Sequence, residues 1–227
     1  MKKTNKGFTL TEMVVTMALL AASTAITVPM ITRNRGQGDV DRYAHALESG
    51  LLNLKAKLGQ TKTNCMIAFP SAFSFQNPEN LVEFSQGKNG QTSMQCCNSE
   101  ISKLTNDTDC MNGYPGYRLS ELTGKAQDNL RLVQQESTPA SKVIRVAVSK
   151  KDFGFTPPGT TANLDTITFL ICHQRAATTA APTSCIPNQN KLSIGCVQMN
   201  GAGEITKGTW ALANETSPMS SGSCKKI

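Results

Sequence analysis

The sequence predicts an α+β fold: one long N-terminal helix lying against an antiparallel β-sheet head with disulfide-bonded loops. Three observations predict it. An apolar run opens the chain and leads into a segment with helical periodicity, strand-like runs cluster in the second half, and all eight cysteines lie downstream of the apolar run. At 227 residues the chain is long enough for one ordinary domain with its own core plus an appended helix.

The first element is the N-terminal segment. Lys2, Lys3 and Lys6 precede Gly7, then Phe8-Thr-Leu-Thr-Glu12 leads into a nearly uninterrupted apolar stretch to Val28. Phe8 to Val28 is 21 residues, which at 1.5 Å per residue makes about 31 Å of helix, enough to cross a hydrocarbon core. Arg33 and Arg35 follow the run, so charge asymmetry orients it only weakly. A secretory signal peptide shares the basic start and the apolar stretch, and Ala22-Ser-Thr-Ala25 would serve as its cleavage site. Glu12 argues against that reading, because a carboxylate this deep in an apolar segment is costly and calls for a partner.

Gly7-Phe8-Thr9-Leu10-Thr11-Glu12, the basic leader before it and Pro29 after the apolar run together resemble the class III signal of type IV pilins and of the pseudopilins of type II secretion. The resemblance covers about the first fifty residues. It implies that a prepilin peptidase removes residues 1–7 by cutting after Gly7 and methylates the new amine on Phe8. It further implies that Glu12 pairs with the N-terminal amine of a neighbouring subunit, so that two charges are buried together. Pro29 stands where the family carries a helix-bending proline.

The second element is the bridge. Gly36 and Gly38 lower helix propensity and predict a flexible or melted stretch over 33–38. Beyond it, Asp39 and Asp41 each suit a helix cap, and Val40, Tyr43, Leu47, Leu51, Leu54 and Leu58 recur at steps of three and four, with Gly59 as the expected stop. That stripe is the face on which a head packs rather than a coiled-coil seam, and His45 beside it reads as a surface residue.

The head follows from Thr61. Asn-Pro at 77–78, Asn-Gly at 89–90 and 112–113, Pro-Gly at 115–116 and Pro-Pro-Gly at 157–159 mark it as loop-rich. Strands are predicted over 142–148, 166–172 and 192–198, with a short terminal strand over 209–212. Between Val197 and Ile205 a hairpin is expected, with Asn200-Gly201 supplying positive φ. The segment from 61 to about 135 has the least pattern, and no internal repeat is visible. The division is thus leader 1–7, helix 8–58 with 8–28 transmembrane, and an extracytoplasmic head over 59–227.

Cys65, Cys96, Cys97, Cys110, Cys172, Cys185, Cys196 and Cys224 form an even set that reads as a disulfide framework in an oxidising compartment. Connectivity stays open among 105 pairings. Adjacent Cys96 and Cys97 are expected to take different partners, and Cys172, Cys185 and Cys196 to bridge near strand ends.

Catalytic chemistry is poorly provided for, and no catalytic residue, metal ligand or cofactor is assigned. The chain has two histidines, His45 and His173. Cys172-His173 lacks the Cys-x-x-Cys companion of a zinc site. Asn106-Asp-Thr-Asp109 resembles a fragment of a calcium loop without its spacing or closing glutamate. Gly201-Ala-Gly-Glu-Ile-Thr-Lys207 fails the spacing of a phosphate loop. Phe69, Phe73, Phe75 and Phe84 read as core. Net charge is +7, falling to +4 once the three leader lysines are gone, and the remainder is scattered, so nucleic acid is a minor alternative as partner.

The resemblance therefore implies a structural subunit, a minor pilin or pseudopilin. Its partners would be other pilin subunits in a homo- or hetero-polymer, prepilin peptidase, an assembly platform and the membrane. The chain would be single-pass with its N-terminus cytoplasmic, then part of an extracellular or periplasmic filament. The alternative is a secreted disulfide-rich binding protein or small enzyme with an ordinary signal peptide.

Overall fold

The computed structural model describes residues 9–61, 63–83, 93–98, 132–133, 139–156, 160–161, 166–177, 183–214 and 217–226. Its first element, α1, runs without a break from Leu10 to Thr61. These 52 residues make a rod about 78 Å long.

The two halves of α1 have opposite surroundings. From Leu10 to Ile31 large apolar side chains stand exposed, Leu10, Met17, Leu20 and Met30 among them. From Val40 onward a stripe of Val40, Tyr43, Ala44, Leu47, Leu51, Leu54 and Leu58 is buried. Each buried leucine contributes about 2 kcal/mol of transfer free energy.

Two expectations for α1 need correction. The Gly36–Gly38 stretch is helical rather than melted, because Gly36 is buried close to the His173 ring and Leu192 and Gln37 accepts a bond from the Ser193 amide; tertiary docking overrides weak propensity. With no interruption there is no new N-cap, so Asp39 pairs with Arg42 and Asp41 accepts from Gln37. Gly59 lies within the last turn, and the helix stops at Thr61.

The strands are β1 (Thr63–Ala68), β2 (Ser93–Asn98), β3 (Ile144–Val148), β4 (Asp152–Thr156), β5 (Thr160–Thr161), β6 (Ile167–His173), β7 (Gly195–Met199), β8 (Ile205–Ala211) and β9 (Ser223–Lys226). They form two antiparallel sheets where one was expected: four strands in the order β2-β1-β4-β5 and five in the order β3-β6-β7-β8-β9. Short helices α2 (Pro78–Leu81) and α3 (Pro139–Val143) and three 3₁₀ turns, Gln174–Ala176, Gln189–Lys191 and Met219–Ser221, complete the described elements. The turn signals at 89–90, 112–113, 115–116 and 157–159, together with Phe84 and Asn106–Asp109, fall outside the described residues.

α1 packs on both sheets. Period-two alternation sorts the five-stranded sheet into two cores. Ile144, Val146, Val148, Ile167, Phe169, Ile171, Val197 and Met199 face the α1 stripe, and Leu132 and Val133 join them. Ala147, Leu170, Cys172, Cys196 and Trp210 form a second, smaller core on the other face with Phe75, Cys185 and Ile194. β6 is buried along its whole length, as a central strand covered on both faces should be. The phenylalanines divide accordingly, with Phe69 edge-on to Phe169 at 6.0 Å in the first core and Phe75 in the second.

Helix and sheet pack tightly at Val40, where a methyl added to Gly195 would stand 2.9 Å from Val40 Cγ1. The predicted strand over 192–198 begins only at Gly195, because Asn188, Asn190 and Lys191 hold φ of 62°, 55° and 57° and turn the chain sharply before it. In the following hairpin the positive φ falls on Gly203, at 77°, rather than on Asn200-Gly201. Asn200 instead closes the loop: its amide bonds the Glu204 carbonyl at 3.0 Å and its side chain accepts from the Glu204 amide at 2.9 Å, the arrangement of a three-residue loop ending in a left-handed glycine.

β9 closes over the far end of the sheet. A side chain on Gly208 would run into the Lys225 carbonyl, and one on Gly222 into the Trp210 indole. These two vacant positions let Cys224 come within 5.8 Å, Cα to Cα, of Cys196, to which it is bonded.

Candidate functional site: the N-terminal helix and its junction with the head

α1 begins with a reciprocal cap. The amide and hydroxyl of Thr9 both donate to Glu12 Oε2 at 2.8 Å, and the Glu12 amide donates to Thr9 Oγ1 at 3.3 Å. Thr9 is the N-cap and Glu12 the third helical residue, so the pair satisfies helix-start donors from both sides. The sequence reading singled out Glu12 alone. Thr9-x-x-Glu12 before an apolar run is a capping-box signal that would have found its partner.

The exposed half of α1 keeps its other polar side chains within itself. The hydroxyls of Thr16, Ser23, Thr24 and Thr27 donate to the carbonyls of Glu12, Leu19, Leu20 and Ser23. Such internal satisfaction is what a helix surrounded by hydrocarbon requires. An 18-residue window of α1 has mean hydropathy 2.0 with none of it buried in the head. α1 is therefore long and apolar enough to cross a membrane. Pro29 lies inside the unbroken helix, with Thr32 donating to its carbonyl at 3.0 Å.

At the end of the exposed half the head grips the helix. Arg33 Nε donates to the Lys191 carbonyl at 3.1 Å, and the Ser193 amide donates to Gln37 Oε1 at 3.0 Å. Asn190 Nδ2 donates to the Arg175 carbonyl at 2.7 Å, and the Arg175 amide donates to His173 Nδ1 at 3.1 Å. His173 is buried. Burial first, then the Arg175 guanidinium, pushes its imidazolium below the ordinary histidine range, with Asp39 acting the other way. A left-handed lysine costs about 1–2 kcal/mol, so Lys191 is held in place by this network.

Between Pro29, Met30, Thr32 and Arg33 on the helix and Arg175, Asn190, Lys191 and Leu192 on the head lies a cleft of about 640 Å³. Its helix side begins directly after the apolar run, which ends at Val28.

Further along α1, Tyr43 donates to Glu83 Oε1 at 2.9 Å in a buried contact. Burial, then the Glu83 charge and that hydrogen bond, push the phenol far above its usual range. His45 is exposed, beside Glu48 at 3.4 Å and Lys207. Lys55 reaches the Gly203 carbonyl at 2.8 Å.

The cysteines fall into three groups. Cys172 is bonded to Cys185 and Cys196 to Cys224, both on the second core. Cys65 is disulfide-bonded, and in the register of β1 and β2 it stands opposite Cys96, with Cys97 opposite Asn64. Cys110 lies outside the described residues, as do Gly7 and Phe8. Since Cys172 is committed to Cys185 and His173 Nδ1 to a backbone amide, the two do not form a ligand pair. Among the described residues no cluster of three or more His, Cys, Asp or Glu side chains could hold a metal ion.

Residues 2–28 match the family model of the prokaryotic N-terminal methylation motif. No curated protein matches the chain. Among solved structures, the type IV minor pilin FimU of Pseudomonas aeruginosa aligns at 13% identity over 86% of this chain and 96% of its own, with a TM-score of 0.36, too loose a likeness to carry structural inference. The chain thus bears a prokaryotic N-terminal methylation motif, carried on a 52-residue helix whose second half is the spine of an α+β head.

Proposed function

We propose that the chain is a type IV pilin-like structural subunit, a minor pilin or pseudopilin, and not an enzyme. The observation that carries the reading is the methylation motif at the start of a helix whose first half is exposed and whose second half is locked into the head. A helix divided in this way can leave a bilayer and enter a bundle of like helices without any change in the head. Van der Waals packing and relief of lipid ordering favour that transfer.

In this reading prepilin peptidase removes residues 1–7 and methylates Phe8. The span 8–28 holds the subunit in the membrane with the head, 59–227, outside the cytoplasm. An assembly platform then draws it into a homo- or hetero-polymer. Glu12 meets the Phe8 amine of a neighbour, so that Thr9 holds the carboxylate until the amine arrives. Pro29 leaves the Ala25 carbonyl without its usual helical donor and so gives α1 a point of give where it leaves the bilayer.

The test is the mass and N-terminal sequence of the membrane-associated protein. A start at Phe8 carrying one extra methyl group is expected. A start near Ile26 with no anchor would return the chain to the secreted disulfide-rich class.

A further inference from the structure

We propose that the cleft between α1 and the 175–192 face of the head binds the phosphate of an anionic phospholipid while the subunit stands in the membrane. The proposal rests on the anchored-subunit reading given above.

Position is the first argument. From Leu10 to Val28 the helix rises about 28 Å, close to the thickness of a hydrocarbon core. The next residues, Pro29 to Arg33, therefore stand at the level of the outer headgroups. Four of the cleft's lining residues, Pro29, Met30, Thr32 and Arg33, belong to that single turn.

Charge is the second. Arg33, Arg175 and Lys191 line the cleft, and none of its lining residues is acidic. Among the described residues none of these three cations is ion-paired. The carboxylate that comes next along α1, Asp39, is engaged with Arg42. Arg33 spends only Nε on the Lys191 carbonyl, which leaves its terminal fork for a phosphodiester.

Construction is the third. Lys191 is brought to the rim by a left-handed backbone that the sequence does not favour, and Asn190 fixes the Arg175 main chain beside it. Met30, exposed on the helix side, offers the glycerol and upper acyl chain an apolar wall. A nucleic-acid phosphate has no use for that wall and is not expected at the depth of Pro29. The favoured ligand is therefore a lipid of the phosphatidylglycerol type.

Native mass spectrometry of the full-length mature chain, released from neutral detergent micelles doped with equal amounts of phosphatidylglycerol and phosphatidylcholine, tests this. Phosphatidylglycerol should be retained in preference. Arg175→Gln and Lys191→Gln should each lower its retention about fivefold, as expected for one interfacial cation, while Lys225→Gln on β9 leaves it unchanged. Lys191→Arg should preserve it, which separates charge from folding. Equal retention of the two lipids, or no response to the substitutions, overturns the proposal. If inorganic phosphate clears the lipid, the cleft takes free phosphate and the lipid assignment falls. A lipid-free dimer peak lost in the same variants would assign the cleft to a second copy of the chain and overturn it too. The same spectrum reports the N-terminus: a chain starting near Ile26 sinks the anchored-subunit reading, whereas a chain starting at Phe8 without lipid preference sinks only this inference.

Discussion

Thr9 and Glu12 hold each other across the first turn of α1, two donors of Thr9 converging on Glu12 Oε2 at 2.8 Å. The carboxylate that a neighbour's amine would take is therefore already engaged in the single chain. Thr9→Ala should fray the start of α1 at a cost of about 1 kcal/mol, visible as faster amide exchange over residues 10–13 with the head unaffected. Glu12→Ala should leave the head folded and the leader cleaved while the sheared filament fraction disappears. Normal filaments from Glu12→Ala would remove Glu12 from assembly.

The contact between Val40 and Gly195 leaves no room for a methyl group. Gly195→Ala should lower stability by about 1–3 kcal/mol through overpacking. Combining it with Val40→Ala, which opens space at the same point, should give a double variant less destabilised than the sum of the singles. Strict additivity in thermal unfolding would mean that helix and sheet do not meet there.

The Cys196–Cys224 bridge closes a separation of 28 residues and fastens the last strand. Its removal by Cys224→Ser should cost about 2–4 kcal/mol and expose the Trp210 face of the second core. Because the protein contains one tryptophan, its emission should shift to the red in the variant while the α1 stripe stays buried. An unshifted spectrum would show that β9 holds its place without the bond.

His173 and Tyr43 set the pH limits of the helix–head junction. His173 has a folded-state pKa below the ordinary value, so its contribution is complete above about pH 6.5 and is lost progressively as pH falls, when the unfolded chain takes up a proton that the buried ring resists. Tyr43 is shifted upward. Its contribution is complete below about pH 10 and is lost as pH rises further, when only the unfolded phenol ionises. The midpoint of thermal unfolding should therefore fall on both sides of neutrality. Tyr43→Phe should flatten the alkaline limb and His173→Gln the acidic one.

Much of this architecture is written locally. The stripe from Val40 to Leu58 is legible because helical spacing and burial coincide residue by residue. β8 was expected only as a short strand over 209–212, whereas β3, β6 and β7 are legible because β-branched and aromatic residues fill the runs over 142–148, 166–172 and 192–198. The division into two sheets is not, since β4 and β5 carry only Asp152-Phe-Gly-Phe-Thr156 and Thr160-Thr161, and β4 becomes a strand through pairing with β1. The continuity of α1 through Gly36 was hidden for a related reason: it depends on His173, Leu192 and Ser193, more than 130 positions away in sequence but adjacent in space. Glu12 could be found from its unusual place, whereas Arg175 and Lys191 look like two scattered cations until the fold sets them beside Arg33.

A rod that is free at one end and bonded lengthwise at the other has a mechanical consequence. Traction applied along α1 reaches the head parallel to the row from Val40 to Leu58, so its leucine contacts are loaded together in shear and none is peeled first. The C-terminal strand is the edge of that sheet beyond β8, and the covalent bond that rivets it lies on the face turned away from α1. The load path therefore bypasses the chain end, and the head is built to be hauled by its spine.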